Sequence, residues 1–220
     1  MTFEQQIEAL AGLTISSSGT TPTQDEVTQF SKNRVIDVIN KMIEVSPSEV
    51  VKFTTTSEDE ENLGVTIIGQ PISIVREHDS ASILRPCTLI QANDRYEATD
   101  IDSLKYRSKY NPAYYVLDGK IYSIPASATS NNAMIVTQIS YSEPLYSDSS
   151  IDNFPNEYEY LVVQYAAMKS LEAKMAEYTI DEEDVELTQG LAINFTALSK
   201  QYDSAFMLKA PKQQAQQGEQ

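Results

Sequence analysis

The sequence predicts an α+β protein: a helical bundle of about three long helices, an inserted antiparallel β-rich module and a disordered C-terminal tail. Three observations carry that expectation. Towards both ends of the chain, apolar residues recur three or four positions apart, the spacing that lines one face of a helix. The middle is instead broken into short runs rich in Val, Ile, Thr and Tyr, which suit a pleated, half-buried strand. The end, "LKAPKQQAQQGEQ", has a proline, many glutamines and too little apolar content to order itself.

The first element is a short helix within residues 1–13, with Phe3, Ile7, Leu10 and Leu13 at helical spacing. "TISSSGTTPT" (14–23) reads as a flexible connector. Thr23-Gln-Asp-Glu26 is a capping box, in which the Thr hydroxyl and the Glu carboxylate satisfy backbone N–H groups at a helix start. Behind it Val27, Phe30, Val35, Val38, Ile39, Met42 and Ile43 form one apolar stripe, so a helix should run to about Val45. Ser46 as cap and Pro47 at the first helical position predict a second, short helix.

Glu58-Asp-Glu-Glu61 reads as a solvated acidic loop, and the pattern changes after it. "GVTIIG", "ISIVRE", "RPCTLIQ", "PAYYVLDGKIYSIP" and "AMIVTQISY" predict strands, mostly antiparallel. Asp118-Gly119 favours positive φ and hence a tight two-residue hairpin. Helix then returns. Pro155 suits a first turn, and Glu157 and Glu159 lie near its positive end. Thr179-Ile-Asp-Glu182, a further capping box, opens a last helix with Val185, Leu187, Leu191, Leu198, Tyr202 and Phe206 on its buried side and Gly190 within the pattern. The expected limits are 1–63 for an N-terminal helical part, 64–142 for the β-rich module, 143–207 for the completing helices and 208–220 for the tail.

Charge and composition exclude several functions. A net charge of −16 gives no general attraction to phosphates, so winding onto nucleic acid is not expected, while an acidic wall lets DNA pass without sticking. The single cysteine, Cys87, rules out an internal disulfide and any multi-thiolate zinc site, and reads as a small buried hydrophobe. Glu4 and Glu8 stand where a signal peptide would be basic and apolar, and no segment reaches the roughly 18 apolar residues of a membrane span. The expectation is a protein with no membrane role, made and kept without export.

Little in the chain suggests catalysis or a cofactor. The only histidine, His78 in "VREHDSAS", lacks the Gly-flanked nucleophile of a hydrolase and reads as an exposed loop residue. Acids cluster at Glu58–Glu61, at Asp100 and Asp102, and at Asp181–Asp184. None has calcium-loop spacing, and the last complements a helix dipole. A metal-assisted hydrolase using those acids is the remote enzyme alternative. No phosphate-cradling glycine motif occurs. "SLKYRSKYNPAYY" (103–115) interleaves bases with aromatics and could stack nucleobases, but tyrosines at an interface explain it better in so acidic a chain.

"FPNEYEYLVVQYAAMKSLEAKM" (154–175) is the most informative stretch. Leu161, Tyr165, Met168, Leu171, Met175 and Tyr178 form a regular core stripe. Tyr160, Val163 and Ala167 form a second one on another side. A helix apolar on two sides is buried on two sides, against its own chain or against a neighbouring subunit. Those three residues are therefore the candidate subunit contact.

"SSIDNFPNEYEYLVVQYAAMKSLEAKM" resembles a stretch of virion structural proteins of tailed bacteriophages, following a strand that ends in "ISY" (139–141). "DIDSLKYRSKYNPAYYVLDGKIYSIP" (100–125) is similar to the preceding part of the same group, and the likeness covers about residues 70–205. The resemblance implies a head–tail connector (adaptor) of the neck: mainly helical, assembled as a homo-oligomeric ring of about twelve copies between portal protein and tail or nozzle proteins. It implies a virion component made in the host cytoplasm, without catalysis, cofactor or metal, through which DNA passes unbound. It also implies a C-terminal segment that docks in the portal, by position Phe206, Met207, Leu208, Lys209, Pro211 and Lys212. A tail-completion, stopper or tail-tube protein is the alternative within this class. A non-enzymatic adaptor of a cellular complex, recognising partners through its tyrosine-rich β module, is the alternative outside it.

Overall fold

The computed structural model describes residues 1–129, 131–181 and 185–209, with side chains described except at 179–181, 185 and 206–209. The chain forms two compact units. One combines Met1–Phe53 with the segment from Tyr141 onwards; the other is Thr54–Ser140.

In the first unit, α1 (Phe3–Ala11) starts at a capping box between Thr2 and Gln5 and ends at Gly12, whose φ of 67° gives the left-handed stop that glycine permits. It buries Phe3, Ile7 and Ala11. The segment expected to be a flexible connector is tied down. The Ile15 N–H donates to the Glu8 carboxylate (2.9 Å), Ser16 N–H to the Thr20 hydroxyl (2.9 Å), and Gln24 N–H to the Ser16 carbonyl (3.0 Å). Helix α2 (Gln24–Val45) opens on the Thr23–Glu26 box and buries Val27, Val35, Val38, Ile39 and Met42. Pro47–Phe53 is a 3-10 turn ending in the fully buried Phe53 ring.

Helix α4 (Asn156–Asp181) is the hub of this unit; α1, α2 and α5 (Val185–Lys209) all pack on it. Tyr158, Leu161, Val162, Val163, Ala166, Ala167 and Leu171 are all buried, so its first half is covered nearly all round. Phe53 meets Phe154 edge-on (5.2 Å between centroids) and Tyr158 at 5.4 Å, which pins the 3-10 turn to the start of α4.

The second unit holds two sheets of four strands. β1 (Thr54–Asp59), β3 (Pro71–Glu77), β4 (Leu84–Pro86) and β8 (Met134–Ile139) form one, in the order β1-β8-β3-β4. β2 (Val65–Thr66), β5 (Thr88–Leu89), β6 (Ala113–Leu117) and β7 (Lys120–Ile124) form the other, in the order β2-β7-β6-β5. Both sheets contribute to one core of Val65, Ile74, Ile121, Met134 and Val136, with Ile67, Cys87 and Tyr114 at its margin. Asp118 (φ 51°) and Gly119 (φ 72°) make the tight β6–β7 turn, registered Leu117↔Lys120. Between β5 and β6 lie a 3-10 turn (Ala92–Asp94), α3 (Arg95–Thr99) and a loop to Pro112.

This architecture corrects the expected fold. The protein is α+β, but it is not a bundle of three long helices with one antiparallel insert. Shorter helices accompany α2, α4 and α5, and the β half, one compact unit, holds two four-stranded sheets. One pairing, β5–β6 (Thr88↔Ala113), is parallel. The physical reason lies in elements that apolar patterning does not register. β1 is "TTTSED", with no apolar residue, and is held by antiparallel pairing to β8 from Thr54↔Ile139 to Asp59↔Met134. β2 and β5 fall within the expected "GVTIIG" and "RPCTLIQ" runs but have only two residues each, and the patterning did not show their partners, β7 for β2 and, in parallel, β6 for β5. The expected disordered tail lies outside the described residues from Ala210 onwards, whereas Leu208 and Lys209 belong to α5.

Candidate functional site

Several residues that could have carried chemistry take structural roles, His78, Cys87, Asp59 and Asp100 among them. His78 is not an exposed loop residue: its side chain is 13 % exposed, its ring lies 4.7 Å from that of Tyr110, and its Nδ1 is 3.9 Å from the Asp79 carboxylate. Cys87 sits at the margin of the β core, where burial pushes its thiol up to about 12, far from a reactive thiolate. In the acidic loop, Asp59 is buried and accepts N–H groups of Glu61 (3.3 Å), Leu63 (3.0 Å) and Gly64 (3.1 Å). It is the loop's anchor, while Glu58, Glu60 and Glu61 are exposed. Asp100 accepts the Asp102 N–H (3.1 Å) in a local turn. The Asp181–Asp184 side chains, and the capping box with Thr179 and Glu182, lie outside the described residues. Among the described residues no three His, Cys, Asp or Glu side chains are grouped to hold a metal ion.

Two buried arginines organise the units, and sequence reasoning passed over both. Arg34, 1 % exposed on α2, places its guanidinium carbon 4.2 Å from the Tyr202 ring centre and 5.0 Å from that of Tyr165, and pairs with Asp37. Burial lowers its pKa to about 10, so it stays charged at neutral pH. It thus links α2, α4 and α5 through cation–π contacts. The signal was present: Arg34 falls on the apolar face, seven positions after Val27 and four before Val38.

Arg76 on β3 does similar work in the other unit. It donates to the carbonyls of Pro125 (3.1 Å), Ala126 (3.1 Å) and Glu77 (3.0 Å), fixing the segment after β7. Its alternation with buried Ile74 marked it as inward-facing. Gln138 on β8 bridges the sheets: its Oε1 accepts the Ile68 N–H (3.1 Å) and its Nε2 donates to the Thr66 carbonyl (3.0 Å).

The surface offers further functional candidates. The three residues taken as a subunit contact are divided by the structure. Val163 (4 % exposed) and Ala167 (fully buried) are covered by their own chain, whereas Tyr160 is 40 % exposed. On α5, Leu198 and Tyr202 are buried, but Leu187 is 44 % and Ile193 73 % exposed. Ile193 borders an open depression with Ala192, Thr196, Ala197 and Lys200. Of the proposed docking segment, Phe206, Met207, Leu208 and Lys209 lie on the last turns of α5 with side chains outside the described residues, as are Pro211 and Lys212 altogether.

Among the described residues the most exposed apolar surface lies in the other unit, around α3 and the loop that follows. Leu104 is fully exposed, Ile101 75 %, Tyr96 69 % and Tyr110 64 %. The loop is nonetheless bonded into shape. Arg107 N–H donates to the Ala98 carbonyl (2.9 Å), Tyr106 N–H to that of Ser103 (3.0 Å), and Lys105 N–H to the Ser103 hydroxyl (3.1 Å). Arg95 stacks on Tyr96 at 4.4 Å. The β6–β7 hairpin beneath carries Tyr115 stacked on Tyr122 at 5.4 Å.

No helix among the described residues is long and apolar enough to cross a membrane. The chain matches no protein-family model and no curated protein.

Proposed function

We propose that this protein is a structural head–tail connector of a tailed phage, a homo-oligomeric ring between portal and tail through which DNA passes without being bound. One observation carries the reading: an acidic chain leaves large apolar residues in solvent on both units, Leu104 and Ile101 on one and Ile193 on the other. Burying such residues against neighbours is what an assembling subunit requires. The net charge of −16 suits a passage that repels DNA, and the sequence resemblance to phage virion proteins supplies the class. The mechanism is shape and packing, with portal and tail proteins as further partners.

Imaging tests it. Purified chain, alone and mixed with the portal protein of the same phage, is examined by negative-stain electron microscopy and native mass spectrometry. Rings, free or seated on the portal, are expected; a chain that stays monomeric under both conditions refutes the connector. Deleting residues 208–220 should abolish seating on the portal while leaving the fold intact.

A further inference from the structure

We propose that the loop between α3 and β6, centred on Leu104, is a subunit contact that grips an acidic surface of a second copy of this chain. The inference rests on the ring reading above and assigns it a contact that the sequence placed elsewhere, on α4.

Charge selects the occupant. Residues 94–110 balance four acids against four bases, so the whole net charge of −16 lies outside them. From Ser103 to Leu117 there are three cations, Lys105, Arg107 and Lys109, and no acid. Two copies of this 103–117 segment facing each other would set cations against cations. Facing the remainder of another copy, each loop meets net negative charge. Unlike surfaces make a head-to-tail contact, which closes into a ring rather than a two-fold dimer when the rotation permits.

The cations can turn to a partner at little loss. Lys105 lies 3.0 Å from both Asp94 and Glu97, and Lys109 pairs with Asp79, but the lysine side chains are 53 % and 40 % exposed. Exposed pairs of this kind stabilise by about 0–1 kcal/mol, so they exchange readily for carboxylates across an interface. Among the described residues Arg107 has no carboxylate partner at all. The apolar centre is presented ready-made. Leu104 stands clear of its own chain on a loop already held by turn hydrogen bonds, so association orders little that is not ordered before.

The test compares wild type, Leu104→Asp and the triple reversal K105E/R107E/K109E by mass photometry at 50 and 500 mM NaCl, with portal protein added in a second series. Circular dichroism and melting confirm the monomer fold, which Leu104→Asp should leave unchanged because the side chain touches nothing. Wild-type association should weaken at least tenfold at high salt, and both variants should associate at least tenfold more weakly than wild type at low salt. Rings that form equally well in the variants overturn this contact and leave the connector reading standing. A wild type that never associates overturns both. Variants that lose only portal binding, with self-association intact, overturn the second copy as occupant and assign the loop to the portal.

Discussion

Arg34 offers the sharpest check on the helical unit, because one side chain there touches three helices. Truncation to alanine removes two buried methylenes, about 0.8 kcal/mol each, and two ring contacts, about 2 kcal/mol each at a desolvated site. Relief from burying a cation offsets part of this, and Asp37, 44 % exposed, is left in solvent rather than stranded. The net loss for Arg34→Ala should be about 3 kcal/mol. Arg34→Met keeps the stem, fills the space between the rings and sheds the charge, so it should lie within about 1 kcal/mol of wild type. Arg34→Lys keeps a charge without the planar face that stacks, and should fall below Met. Urea denaturation followed by circular dichroism gives the order, and amide exchange locates the effect. Since Leu198 and Tyr202 are the buried residues of α5 among those described, exchange over 191–205 should accelerate in the alanine variant. An alanine variant within about 0.5 kcal/mol of wild type, with unchanged exchange in α5, would refute the clamp.

Two further outcomes test the β unit. Gly64 has φ of 78°, and a Cβ built there would lie 2.7 Å from the Tyr122 ring, so Gly64→Ala should destabilise by about 2 kcal/mol, read as a lower melting temperature; an unchanged melt counts against the packing. With the Cys87 thiol raised to about 12, on the order of 10⁻⁴ of it is thiolate at pH 8, so iodoacetamide should modify the folded protein at least 100-fold more slowly than the urea-unfolded chain. Equal rates would show an accessible thiol and reopen nucleophilic chemistry at that residue.

Local signals were legible where one short stretch contains its whole cause. The Thr23–Glu26 box starts α2, the Asp118-Gly119 pair turns the β6–β7 hairpin, and helical spacing marked α2 and α4. Strands without apolar residues were not legible. "TTTSED" becomes a strand only because β8 is there to pair with it. The tie-down of residues 14–23 was hidden for a similar reason, since Glu8 reaches Ile15 only once both are folded. The α5 stripe was overread: helical spacing identifies a face able to be buried, and the fold buries Leu198 and Tyr202 while leaving Leu187 exposed.

By itself the sequence determined where backbone hydrogen bonds are made locally, which residues can be buried, and that the chain is strongly acidic. Only the tertiary structure decided what covers what. It put Val163 and Ala167 inside their own unit, drew Arg34 and Arg76 into the interior as fasteners, and left Leu104 in water at the tip of an ordered loop. Periodicity reports the direction a side chain takes from its own helix or strand. Whether protein or solvent lies in that direction depends on segments far away in the chain, and that is why the candidate contact moved from α4 to the loop after α3.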